Sequence, residues 1–167
     1  GSRGLGDVYK RQTLLTVLEN TRLADGIYRL RLAGDTSAIT APGQFVNLKL
    51  SGFFLRRPIS VCDWENGEVT LIYKVLGHGT EAMTGMAVGT ALDVLTGLGN
   101  GFDLSRSGEH PLLVGGGVGI PPLYGLARRL TAQGKRVTAV LGFNRKSEIF
   151  LAEEFRALGA EAVSYTH

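Results

Sequence analysis

The chain has 167 residues, 44% of them hydrophobic and 20% charged, the balance of a globular rather than a disordered protein. Its net charge is only +3 and its basic residues are dispersed, which argues against a nucleic-acid binder. No apolar run approaches the ~18 residues of a membrane span. No signal-peptide pattern is visible, and the single cysteine, Cys62, makes no internal disulfide, which fits a reducing cytoplasm.

Both ends look foreign. Gly1 to Gln12 has neither strand nor helix period, and a strand beginning at Ala162-Val163 is expected to stop at Ser164-Tyr165-Thr166-His167. Both ends resemble translated adapter sequence at the edges of environmental assemblies. Residues 1–12 and 164–167 are therefore set aside as tails, and the chain reads as a piece of a longer protein.

Residues 13–104 form the first expected domain. Thr16–Asn20, Ile27–Leu32, Phe45–Leu50 and Glu68–Val75 alternate apolar with polar residues, the period of half-buried strands. Turns are marked by Ala41-Pro42-Gly43-Gln44, Asn66-Gly67 and Gly77-His78-Gly79. About six such strands at this spacing predict a closed antiparallel barrel. One short helix is expected over Thr80–Met86, with Met83 and Met86 as core filler. Thr96-Gly97-Leu98-Gly99-Asn100-Gly101-Phe102 reads as a long turn, too rich in glycine for a strand interior.

The pattern changes over residues 110–163. Pro111–Val114 is an apolar strand of the kind buried on both faces. Helical spacing follows over Pro122–Gln133, a second buried strand over Val137–Phe143 and a second helix over Ile149–Leu158. Strand, helix, strand, helix implies a parallel sheet with right-handed crossovers, here incomplete.

Four segments carry candidate chemistry. In Arg57-Pro58-Ile59-Ser60 the guanidinium offers a planar fork of donors to a diphosphate, and the serine a hydroxyl; a solvent-facing edge strand is the plain alternative. In Ile72-Tyr73-Lys74 the aromatic can pack on a ribose or a ring system, or simply fill the core. Gly79 and Thr80 open a helix and offer N–H and hydroxyl groups to phosphate, or cap that helix. His78 has no partner at metal-ligand spacing and reads as a loop residue. Cys62 reads as a buried structural thiol. Gly115-Gly116-Gly117-Val118-Gly119, between a strand and a helix, is a phosphate cradle in the right context. Yet Pro122 stands where a dinucleotide fingerprint has its third glycine. The second strand also ends in Asn144-Arg145-Lys146 rather than an acidic residue, so the basic pair either favours a 2′-phosphate or is a solvated turn.

Taken in order, these segments with Leu98–Phe102 and Leu141–Glu148 resemble the ferredoxin reductase-like flavoprotein family. Within it they are most similar to the electron transfer subunits of dihydroorotate dehydrogenase B. The resemblance implies a six-stranded FAD-binding barrel followed by a nicotinamide-binding α/β domain. It places Arg57, Pro58, Ile59, Ser60, Ile72, Tyr73, Lys74, Gly79 and Thr80 against FAD, and Gly115, Gly116, Gly117, Gly119 and Pro122 against NAD. It also implies a partner, an FMN-containing catalytic subunit, from which electrons pass through a [2Fe–2S] cluster and FAD to NAD. Such a cluster takes four cysteine ligands, and this chain has one. The chain is therefore expected to hold no cluster, to bind FAD weakly at best and to pass no electrons to a partner on its own. The flavin subunit of another NAD(P)H:acceptor reductase, such as a sulfhydrogenase or an NADH-dependent ferredoxin:NADP reductase, remains an alternative. So does a non-enzymatic binding module.

Overall fold

The computed structural model describes residues 11–50 and 56–166. The expectation for residues 1–10 and for His167 lies outside those residues. Six strands close an antiparallel barrel: β1 (Arg11–Ala24), β2 (Ile27–Ala33), β3 (Phe45–Lys49), β4 (Arg57–Glu65), β5 (Glu68–Lys74) and β6 (Ala91–Leu98), in the order β1-β2-β5-β4-β3-β6. Inward residues such as Leu15, Leu30, Leu48, Val61, Leu71 and Val94 fill it, all nearly inaccessible to solvent. The short helix α1 (His78–Met83) brings Met83 into that core, with Met86 packed beside it, so both methionines are filler.

The second half is a parallel sheet in the order β7-β8-β9, made of β7 (Leu112–Gly116), β8 (Thr138–Phe143) and β9 (Glu161–Thr166). Two helices, α2 (Ile120–Ala132) and α3 (Ala152–Ala157), pack with the Leu113, Ala139 and Leu141 face of this sheet in one core. That core also takes in Ile27, Cys62 and Ile72 from the outside of the barrel. Helix α2 thus lies between barrel and sheet, and the two halves share apolar contacts.

Several expectations are corrected. Strand β1 begins at Arg11, because Arg11 and Gln12 pair with Thr96 and Leu95 of β6. Strand β9 does not stop at Val163 but pairs with β8 through Thr166, opposite Phe143. Thr96–Leu98 belong to β6: Phe45 pairs with Leu98 and Asn47 with Leu95, a bulge in which Gly97 takes a φ of +75°. Helix α3 is shorter than its apolar spacing implies, because Leu151 at its N-cap adopts a φ of +67°. Strand β7 is covered on one face only. Leu113 is buried, but Leu112 and Val114 are 63% and 62% exposed.

Candidate functional site

The barrel wall opens where β4 and β5 part. Their ladder ends at Val61 opposite Leu71. Beyond it Arg57–Ser60 pair with β3 alone, and Ile72–Lys74 with β2 alone. Two segments singled out for the same ligand thus flank one gap.

Arg57 and Gly79 meet at this gap. A Cβ on Gly79 would lie 2.7 Å from Arg57 Nη2, so the bare glycine gives the guanidinium its place against the first turn of α1. The neighbouring Arg56 is committed elsewhere: its Nη2 donates to Asp93 Oδ1 at 2.9 Å and its Nη1 to the Asp93 carbonyl at 3.2 Å. Pro58 is exposed and Ser60 half-buried, alternating along β4 with Ile59 and Val61, which face the barrel core. Ile59 therefore offers a ligand only its backbone.

Two of the other candidates are used by the chain itself. The Tyr73 ring is buried, stacks on Tyr28 with centroids 5.6 Å apart, and donates its hydroxyl to Asn20 Oδ1 at 2.9 Å. Burial pushes that phenol well above its ordinary pKa, so it stays a neutral donor. Asn20 in turn donates to the Met83 carbonyl at 2.7 Å, tying Tyr73 to the end of α1. The Thr80 hydroxyl accepts from the Leu76 and Gly77 N–H groups at 2.8 and 3.1 Å and donates to the Gly77 carbonyl. One donor and two acceptor sites are all a hydroxyl has, so Thr80 shapes the turn rather than reaching outward. Helix α1 begins at His78, whose side chain is 95% exposed beside Glu81.

On the outer face of β5, Ile72 joins the core shared by the two halves, and Lys74 lines a cleft of about 430 Å³. The barrel contributes Ile27, Lys74 and Leu76 to this cleft. The α/β half contributes Gly116, Gly117 and Val118 at the end of β7, Gly142–Asn144 at the end of β8, Glu148 and Phe150 beyond it, and Tyr165 of β9. Strands β7 and β8 point their carboxyl ends into it, the usual place for a ligand of an open α/β sheet.

The glycines of the β7–α2 loop differ in role. A Cβ on Gly115 would meet Leu123 Cδ1 at 2.6 Å, so this position serves the packing of helix on strand. Gly117, at φ +53°, makes the turn. Gly116 and Gly117 line the cleft, whereas Gly119 and Pro122 do not. Pro121 and Pro122 sit in the first turn of α2, where N–H groups are ordinarily exposed, and proline has none. Of these positions the loop, rather than the helix end, borders the cleft.

Sequence reasoning missed Leu76, Val118 and Asn144 as cleft residues, and it missed Gly125. A glycine inside an apolar helical stretch is itself a signal of close approach. A Cβ there would lie 2.7 Å from the Cys62 carbonyl oxygen, so α2 touches the β4 backbone. Cys62 is 2% exposed and burial raises its thiol pKa, as a structural thiol requires. Further along the same seam Arg128 grips Asp63 through two 2.8 Å contacts and pairs with Glu65, and Arg129 lies over the Trp64 ring.

No family model matches the chain. Its sequence is 45% identical over 157 residues to the electron transfer subunit of dihydroorotate dehydrogenase B (NAD(+)) from Bacillus pumilus, covering 89% of this chain and 61% of that protein. The Amycolatopsis cytochrome P450 reductase superposes with a TM-score of 0.85 at 24% identity, over 94% of this chain and 52% of its own. The NADH-dependent reduced ferredoxin-NADP oxidoreductase, at 29% identity, gives a TM-score of 0.81 over 91% of this chain and 56% of its own. The chain shares the fold of these reductases. The chain spans about three fifths of the length of the curated relatives it matches, 61% for the Bacillus protein. In this fold the barrel gap and the cleft lie at the junction of the two halves, joined by the single strand β5.

Proposed function

We propose that the chain is the flavin- and nicotinamide-binding part of an electron transfer subunit of NAD-dependent dihydroorotate dehydrogenase. It would act in the cytoplasm beside an FMN-containing catalytic subunit and pass electrons on to NAD in pyrimidine biosynthesis. One observation carries the reading. Arg57 is held against Gly79 at the barrel gap, and Lys74, on the strand bordering that gap, lines a cleft with Gly116 and Gly117. A diphosphate group and a second nucleotide thus have adjoining places.

The fit to FAD rests on the Gly79 position, whose bare backbone lets the Arg57 guanidinium sit where a Cβ would crowd it. Arg57 supplies charge and a planar fork to the diphosphate, and Ser60 and Lys74 supply polar groups on the outer faces of their strands. Leu76 and Val118, 75% and 58% exposed in the cleft lining, are apolar groups that would exclude water from a bound ring system. When bound, FAD supplies the exchange between one-electron and hydride chemistry, and the protein supplies binding and orientation. A [2Fe–2S] cluster does not fit the residues present. It takes four thiolates, and the only cysteine, Cys62, is buried in the seam.

The 29% identity to the NADH-dependent ferredoxin-NADP oxidoreductase supports a second reading, the flavin subunit of a related reductase. Titration of the chain with FAD tests what both share. Saturable, weak binding is expected. Gly79→Ala displaces only the tip of a flexible side chain, so its melting temperature should hold while flavin affinity falls about tenfold or more, the worth of a charge-assisted contact. Absence of flavin colour and fluorescence from the gently purified full-length parent would favour a non-enzymatic module instead. Co-purification of the full-length parent with an FMN-containing dehydrogenase separates the first reading from the second.

A further inference from the structure

Helix α1 carries Gly79, against which the Arg57 guanidinium sits, yet it has only six residues. A helix that short does not hold itself together in water, because its nucleation costs more than its few hydrogen bonds return. Its place is therefore set by what grips its ends. At the first turn the Thr80 hydroxyl closes the Leu76–Gly77 backbone. At the other end the last carbonyls of a helix lack donors from the helix itself, and one side chain supplies them. Asn20 Nδ2 donates to the Met83 carbonyl at 2.7 Å and to the Met86 carbonyl, just beyond the helix, at 3.2 Å.

Asn20 belongs to β1, and the bond that orients it comes from two strands away. The barrel order here is β1-β2-β5. Asn20 lies opposite Leu30 of β2, and Leu30 lies opposite Leu71 of β5. The Tyr73 hydroxyl spans that middle strand and donates to Asn20 Oδ1 at 2.9 Å. With its oxygen taken by a donor, the amide turns its nitrogen to the two backbone carbonyls. Tyr73 is itself fixed by burial and by its stack on Tyr28. A line of contacts thus runs from β5 through Asn20 to the end of α1. About one helical turn back from Met83 lie Gly79 and the Arg57 guanidinium.

We propose that Asn20 is a positioning residue for the flavin: it sets where α1 lies, and through α1 where Arg57 meets the diphosphate. The assignment rests on reading the barrel gap as the FAD site. The amide is specific in this role. An aspartate in its place would still accept from Tyr73 but would turn acceptor oxygens toward two carbonyl oxygens.

Titration with FAD of the full-length parent, stripped of its flavin, tests this, with melting temperatures of the ligand-free variants read alongside. Asn20→Asp should weaken FAD binding about tenfold, the loss also expected of Gly79→Ala. Because both act on one contact, the double variant should be no more than about threefold weaker than the weaker single, where independent effects would multiply to about a hundredfold. Tyr73→Phe removes only the bond that orients the amide. It should weaken FAD binding about threefold, and it decides the matter if Asn20→Asp does not fold. Val69→Ala lies in the barrel core where β4 and β5 are still paired. It should lower the melting temperature and leave FAD affinity within about twofold. Unchanged affinity in Asn20→Asp and Tyr73→Phe, a double variant whose losses multiply, or an equal loss in Val69→Ala overturns the assignment alone. A parent that binds no FAD overturns the reading of the gap, and the assignment with it.

Discussion

Single residues of the barrel are held by carboxylates that their neighbours keep ionised. Hydrogen bonding from Arg56 is the main cause that lowers the Asp93 pKa, with help from Gln12. Ser37, through its hydroxyl and its N–H, together with Arg11 brings Asp35 down to about 2. Glu19 is raised by burial but lowered more by Thr21, Arg31 and Arg29. All three lie below their unfolded values, so their contribution is full above the unfolded pKa near 4 and is lost as pH falls through the folded values. The urea midpoint should therefore decline from about pH 5 to about pH 2, and Asp93→Asn should make that decline shallower. A midpoint constant over this range would sink the account. Residue identity was legible at this scale and commitment was not. Arg57, Tyr73 and Thr80 were singled out for the chemistry they carry, but a sequence does not show that a hydroxyl already has three backbone partners. Nor does it show that a phenol is bonded to Asn20, 53 residues away in the chain.

Among the elements, α2 depends on one position. Gly125 lets the helix backbone approach the Cys62 carbonyl, and Arg128 and Arg129 clamp the next turn onto Asp63, Trp64 and Glu65. Gly125→Ala sets two effects against each other. The helix gains about 1 kcal/mol of intrinsic propensity. The new methyl group meets a backbone oxygen that cannot swing aside, and overpacking of that kind costs about 1–3 kcal/mol. The second effect should win. Chemical denaturation should show a net loss of up to about 2 kcal/mol, and Cys62 should become more accessible to a thiol reagent. A stabilised variant would mean that the seam is looser than its geometry. The existence and order of these elements followed from apolar periodicity, because burying one face imposes that period. Their limits did not. Tertiary pairing extends β1 back to Arg11 and β9 on to Thr166, and the bulge at Gly97 carries a glycine-rich stretch into β6.

For the molecule as a whole, two-part architecture was legible because the periodicity changes between residues 98 and 112, where the barrel ends and the parallel sheet begins. The shared core was not. Ile27, Cys62 and Ile72 read as ordinary strand residues, and only the fold places them against α2 and α3. The apolar run of β7 misled in the same way, since composition does not say whether a second layer is present. On the sheet face away from the helices, Leu112, Val114, Val163 and Tyr165 are each at least half exposed, and the register puts them on one side. This face bears on colloidal behaviour rather than on folding. A net charge of +3 on 167 residues provides little long-range repulsion to keep two such faces apart, and added salt screens what there is. Leu112→Lys should leave the unfolding free energy within about 0.5 kcal/mol and raise the concentration at which light scattering sets in. An unchanged onset would clear the face of blame. The chain's handling limit should then be set by the concentration of the solution, well before heat or denaturant reaches its core.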